Sequence, residues 1–213
     1  MEKLFVSNKN ESARMFKSDV LEFFSKVHFT APLYFFLPVV GYLYYLTFWE
    51  RDYAVAELVG LSFAGVILWT CSEYLLHRFL FHHHPKSETG KRFFFIIHGV
   101  HHDYPNDARR LVLPPSISLP LATFFYFLFN YTIGEYYLPP FFATFLLGYL
   151  FYDMGHYALH HFKLKGRIWG SIKDHHMKHH YVDPEHGFGV SSPFWDVIFR
   201  SGYKDRSKEP SKE

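Results

Sequence analysis

The sequence contains one cysteine, Cys71, among 213 residues. A single thiol rules out both an intramolecular disulfide and a thiolate metal cluster, and inside an apolar stretch Cys71 reads as a small buried residue. The opening residues, MEKLFVSNKNESARMFKSDV, lack an apolar core of signal-peptide length, so membrane entry is expected to use internal segments. No linker rich in Gly, Ser or Pro divides the chain, and its length suits a single domain. The net charge is +2, and no basic patch is interleaved with aromatic residues, which sets nucleic acid aside as a partner.

Aromatic residues and histidine are abundant instead: 26 Phe, 16 Tyr and 16 His. Mean hydropathy is close to zero, but that average hides long apolar stretches offset by charged and histidine-rich blocks. Four stretches, about 30–49, 54–76, 112–131 and 134–153, approach the roughly 20 apolar residues that cross a bilayer as a helix. Only ERDY separates the first two and about IGEYY the last two, so they read as two helical hairpins. Trp49, Tyr53, Tyr136 and Tyr137 fall at the hairpin tips, where interfacial aromatics sit. Lys and Arg number five before the first stretch, six in 77–110 and ten from 161 onward, against Arg51 alone at the tips. Short translocated loops are poor in these residues, so both termini and the central segment are expected on the cytoplasmic side. The expected architecture is an all-α integral membrane protein. An N-terminal cytosolic arm, 1–29, leads into one domain, 30–213, with four transmembrane helices in two hairpins. A cytosolic helical cap, 77–110 and 154–213, carries the histidines.

Their spacing is patterned. His77 and His82 form HxxxxH, His98, His101 and His102 form HxxHH, His156 and His160 form HxxxH, and His176, His179 and His180 form a second HxxHH. Helical residues three and four apart share a face, so each HxxHH box presents three imidazoles in one direction. Imidazole suits iron, zinc, copper and nickel, and ten such nitrogens exceed what one ion can coordinate, which points to two ions with about five ligands each. The i,i+4 pairs suggest one set of His77, His82, His98, His102 and His179 and another of His101, His156, His160, His176 and His180. His83, His84, His161 and His175 adjoin these positions but point elsewhere on a helix. His28 is expected at a polar interface and His186 at a substrate entrance. Glu73 and Asp153, one turn ahead of candidate ligands, are candidates to accept the second ring N–H of a ligand and fix its tautomer.

HRFLFH, HGVHH, RRLVLPP, YDMGHYALHH, HHMKHH and GFGVSSPFWD, spread over about residues 60–200, together resemble the fatty acid hydroxylase superfamily. The RLVLPP and GFGVSSPFWD stretches resemble its fatty acid 2-hydroxylase branch, which acts in sphingolipid metabolism. The resemblance implies four transmembrane helices beneath a cytosolic cap, a centre of two iron ions that zinc can occupy in purified protein, and dioxygen as co-substrate. It implies hydroxylation of carbon two of a fatty acyl chain, on a ceramide or its fatty acid precursor, and the multi-pass topology fits either a bacterial inner membrane or the endoplasmic reticulum. Some members carry a haem-binding electron-carrier domain with a His-Pro-Gly-Gly motif. The arm of this sequence lacks the motif, so a separate electron-donor protein is expected. Sterol oxidation or desaturation is the nearest alternative. A zinc-dependent lipid hydrolase is more distant, because such sites usually include bridging carboxylates and none falls inside these boxes.

Overall fold

The computed structural model describes residues 4–203, and among them every regular element is helical. In chain order these are α1 (Asp19–Phe24), α2 (Ala31–Tyr45), α3 (Val55–Leu75), α4 (Glu88–Phe94), α5 (Val100–Asp103), α6 (Pro115–His161), α7 (Arg167–Tyr181) and α8 (Phe194–Ile198). Three of them continue in a wider π-type winding, α2 through Leu46–Glu50, α3 through Leu76–Phe81 and α4 through Phe95–Gly99.

Among the described residues three helical runs, Ala31–Glu50, Val55–Phe81 and Pro115–His161, are long and apolar enough to cross a membrane. The last has 47 residues, about 70 Å of helix at 1.5 Å per residue, more than twice a bilayer core of about 30 Å. It is broken at Gly134, whose φ of +83° departs from helical geometry. The halves on either side fold back on each other, because Phe125 and Phe145, twenty positions apart, bring their ring centroids within 5.0 Å, and Phe129 meets Phe141 at the same distance. The third stretch expected from hydropathy begins at 112, but residues 112–114 are not helical. Pro114 is extended (ψ 148°), and the helix starts at Pro115, where the fixed φ suits a first turn and the missing N–H is not needed. The C-terminal half runs past the expected end at 153 to His161, so the HxxxH pair rides on the same helix.

The loop ends of the helices are tied together. Tyr136 donates its hydroxyl to the Asp52 carbonyl at 2.6 Å, Arg51 reaches Glu135 at 3.4 Å, and the Tyr53 hydroxyl donates to the Tyr136 carbonyl. That carbonyl is one that Pro140, lacking an N–H, cannot bond. Along the bundle, α3 lies close to the C-terminal half of α6. A Cβ on Gly65 would sit 2.3 Å from the Phe141 carbonyl oxygen, and one on Gly148 2.6 Å from the Trp69 ring. Small residues at such crossings let helix backbones approach where no hydrophobic effect drives association. Phe36, Val40, Leu43, Trp69, Phe145 and Tyr149 belong to the apolar core of this bundle. Large apolar residues such as Tyr34, Phe63, Phe127 and Tyr131 face outward.

At the opposite end from the tied tips, the N-terminal residues strap the second histidine segment. The Val6 and Ser7 amides donate to the Asp103 carbonyl at 2.9 and 3.1 Å, the Ser12 hydroxyl bonds Asp107 at 2.6 Å, and Arg110 donates to the Ala13 carbonyl. Short α1 follows, capped by the Ser18 hydroxyl, which accepts from the Leu21 amide, and Glu22 pairs with Arg110 at 2.5 Å.

Candidate metal centre

The end of α3, the α4–α5 segment, the end of α6 and the C-terminal end of α7 converge, and each brings histidines. The first pair depends on the π winding. Residues five apart on an α-helix lie about 140° apart, which would aim His77 and His82 in different directions. The wider turn, closed by a His82 amide to His77 carbonyl bond of 3.2 Å, brings their Nε2 atoms to 3.3 Å. Such turns recur at functional sites.

Ten imidazoles gather into two groups of five, and within each the potential ligand atoms lie within 4.8 Å of one another. One holds His77, His82, His98, His102 and His179, the other His101, His156, His160, His176 and His180. Each HxxHH box is divided: its i,i+4 pair enters one group and the middle histidine the other. Adjacent Nε2 atoms are 3.0–3.3 Å apart in the first group (His77 to His98 3.1 Å, His98 to His102 3.0 Å, His82 to His179 3.0 Å, His77 to His82 3.3 Å). In the second, His101 to His156 is 3.0 Å, His160 to His176 2.9 Å and His176 to His180 3.1 Å. His102 stacks on His180 with centroids 4.3 Å apart, so the groups share a wall.

These spacings fit metal ions. Nitrogens about 2.1 Å from a shared ion and at right angles to one another stand about 3 Å apart, whereas ten imidazoles this close have too few N–H groups directed at one another to satisfy so many lone pairs. Burial, followed by repulsion from neighbouring imidazoles, holds the cap histidines below their ordinary pKa: His82 falls to about 2, and His98, His101, His102, His176 and His180 are lowered strongly. Burial also brings His179 to about 4, partly offset by its hydrogen bond to the His186 carbonyl. All are therefore neutral at pH 7, the state that ligates.

The expected carboxylate partners lie buried close to the histidines. Glu73 Oε1 accepts the amides of Val190 and Ser191 at 2.9 and 2.8 Å, not a ligand N–H. Asp153 is 1% exposed and lies against Tyr149. Backbone carbonyls serve instead, with His77 Nδ1 donating to Phe188 at 2.5 Å and His179 Nδ1 to His186 at 2.8 Å. Spacing in a sequence reveals side chains, and these acceptors have none.

The other histidines lie outside both groups. His175 bonds Asp196 at 3.0 Å, His84 reaches Glu185 at 3.4 Å, His161 stacks on Tyr157, His83 packs against Phe94, and His28 bonds the Thr30 hydroxyl at 2.8 Å. The His186 ring meets Asp183 at 3.0 Å, and its carbonyl is engaged by His179 Nδ1.

Beside the histidines lies a largely apolar cavity of about 230 Å³, with His98, His101 and His156 in its wall. Both groups therefore border it. Met15, Phe16, Leu21 and Phe24 of the strap and α1 close one side. Trp69 Nε1, in the wall of this cavity, is buried without a partner among the described residues, and Tyr149, also in the wall, lies against Ser118 and Asp153.

Residues 62–201 match the family model described as fatty acid hydroxylase. The chain is 38% identical over 209 residues to the fatty acid 2-hydroxylase of Rattus norvegicus, covering 88% of this chain and 56% of that protein. It is 34% identical over 203 residues to a dihydroceramide fatty acyl 2-hydroxylase of Arabidopsis thaliana, covering 95% and 84%. The chain thus spans little more than half the length of the rat relative. Among solved structures, the hydroxylase domain of full-length scs7p superposes with a TM-score of 0.81 at 35% identity, covering 92% of this chain and 73% of that one. A family match over most of the chain, relatives identical at more than a third of the aligned positions and a common fold make this chain a member of the fatty acid hydroxylase family.

Proposed function

We propose that the protein is a dioxygen-dependent hydroxylase that adds a hydroxyl at carbon two of a fatty acyl chain, carried by a ceramide or its fatty acid precursor. Its ten clustered histidines hold two iron ions, His77, His82, His98, His102 and His179 around one and His101, His156, His160, His176 and His180 around the other. The two halves of α6 act as separate spans, giving four transmembrane helices. The termini and the histidine cap face the cytoplasm, in a bacterial inner membrane or the endoplasmic reticulum, and a separate donor protein supplies electrons. The single observation that carries this reading is the apolar cavity walled by imidazoles of both groups.

Oxidising an unactivated C–H bond is beyond any side chain, and two redox-active ions with dioxygen supply that capacity. The chain's own contribution is placement and exclusion of water. Apolar walls from Leu146, Phe145 and Phe125 hold methylenes. Trp69 Nε1 offers a donor to the carbonyl that neighbours carbon two, and the Ser118, Tyr149 and Asp153 cluster offers polar groups to an amide or hydroxyl. A buried polar atom left unpaired costs about 1–3 kcal/mol, so an acyl group that pairs Trp69 Nε1 is favoured over a plain hydrocarbon. The low pKa values of the cap histidines keep their lone pairs free for ligation at cellular pH.

The test is lipid mass spectrometry on cells expressing the wild type or His160→Ala under labelled dioxygen, with acyl products fragmented to locate the oxygen. The expected result is a labelled hydroxyl on carbon two that vanishes in the variant. Label on a sterol, or none in any lipid with a donor system present, contradicts the proposal.

A further inference from the structure

The two histidine groups differ in what holds their rings. Behind the first group lies the 186–191 loop, and four consecutive amides of this loop are bonded to two buried carboxylates. Phe188 and Gly189 donate to Asp196 at 2.9 and 2.8 Å, and Val190 and Ser191 donate to Glu73 Oε1 at 2.9 and 2.8 Å. Asp196, 1% exposed, also accepts from the Ser201 hydroxyl at 2.7 Å and from His175 Nε2 at 3.0 Å. The loop enters through Gly187 at φ +74°, its amide bonded to the Ser201 carbonyl at 2.9 Å. With its amides committed to the carboxylates, the loop presents the Phe188 carbonyl to His77 Nδ1 and the His186 carbonyl, also bonded by the Tyr203 hydroxyl at 3.1 Å, to His179 Nδ1.

A ring that donates through Nδ1 keeps its proton there and leaves the Nε2 lone pair for an ion. In the second group no such device exists: the Nδ1 atoms of His101, His156, His160, His176 and His180 are all buried without a partner among the described residues. Those rings are oriented by packing alone, and nothing assigns the proton to Nδ1.

We infer that Asp196 is a positioning residue which, through the 186–191 loop, makes the group of His77, His82, His98, His102 and His179 the tighter of two unequal metal sites, so that the ions load in order. This rests on the proposed reading that both groups bind metal. Partners behind a ligating histidine are typically worth about 10–100-fold in metal affinity.

The test uses the full chain in lipid nanodiscs, loaded with zinc so that the readout is metal content and not turnover. Zinc per chain is followed against rising chelator concentration. The wild type is expected to lose its ions in two steps separated by about 10–100-fold in chelator. His82→Ala should retain only the ion lost early and His160→Ala only the ion lost late. Asp196→Asn, which keeps the size but cannot accept at its amide nitrogen, should bring the late step down to the early one. Ser201→Ala, which removes one donor and leaves the charge, should narrow the gap, so the role of Asp196 is read even where the asparagine variant does not fold. A single step in the wild type, a late-lost ion retained in His82→Ala, or an unchanged gap in the Asp196 and Ser201 variants overturns the inference. A wild type that binds no metal overturns the proposed metal centre itself.

Discussion

Arg110 and Glu22 join the N-terminal strap to the second histidine segment, 2.5 Å apart with side chains 2% and 9% exposed. Replacing Arg110 with methionine keeps much of the bulk and removes the charge. Taking one partner from a buried pair costs about 3–5 kcal/mol, because the other charge is left uncompensated. Glu22 retains Lys26 at 2.8 Å and the amides of Met15 and Phe16 at 2.9 and 3.0 Å, so the expected cost is at the lower end, about 3 kcal/mol. Glu22→Leu should cost more, about 4–5 kcal/mol. The guanidinium cannot shed its proton, and its remaining neighbours are the Ala13 carbonyl and Asp107, the latter at 3.9 Å. The double variant should cost less than Glu22→Leu alone, because apolar replacement of a whole buried pair is often near neutral. Denaturant unfolding in micelles, followed by tryptophan fluorescence over the three single-site and paired combinations, gives the coupling energy. Costs that simply add, with coupling below about 0.5 kcal/mol, would refute the claim that this pair is what fastens the strap.

Other expectations concern packing, pH and the cavity. Gly65→Ala should destabilise the bundle by about 1–3 kcal/mol, because its Cβ would meet the Phe141 carbonyl, whereas Gly41→Ala, with nothing within 4 Å, should stay within about 0.5 kcal/mol on the same unfolding assay. In chelator-stripped protein the cap histidines make stability acid-sensitive: their folded pKa values lie below the ordinary 6.5, so the unfolded chain takes up protons first. Stability is complete above pH 6.5 and is lost as pH falls toward about 4, where His179 titrates, at about 1.4 kcal/mol per buried imidazole at pH 5.5. A melting temperature unchanged between pH 7 and 5.5 would contradict this. Ala122→Phe adds bulk to the cavity wall and should raise KM for long acyl substrates while metal content per chain stays at the wild-type value.

Much of this architecture was legible in the sequence, because the features that carry it are periodic. The histidine boxes are written in i,i+3 and i,i+4 spacing, and the structure brings together the ten histidines singled out by that spacing. Apolar run lengths indicate the helices, although hydropathy alone did not show that α3 continues to Phe81 or that a π turn aligns His77 with His82. The less legible features are backbone and tertiary. The Phe188 and His186 carbonyls leave no side-chain signature. Glu73 and Asp153 were singled out by their spacing from candidate ligands, but which atoms they meet depends on how the 186–191 loop and the cavity wall fold against α3 and α6. The Arg110 to Glu22 pair joins positions 88 residues apart, a distance over which charge pattern carries no pairing information.

The most direct measurement of the central claim is a reaction of the reconstituted, iron-loaded protein with an acyl substrate carrying deuterium at carbon two, under labelled dioxygen and with electrons supplied. The account predicts a product that has lost one deuterium from carbon two and gained one labelled oxygen there. Retention of both deuterium atoms, or oxygen arriving from water, would contradict it.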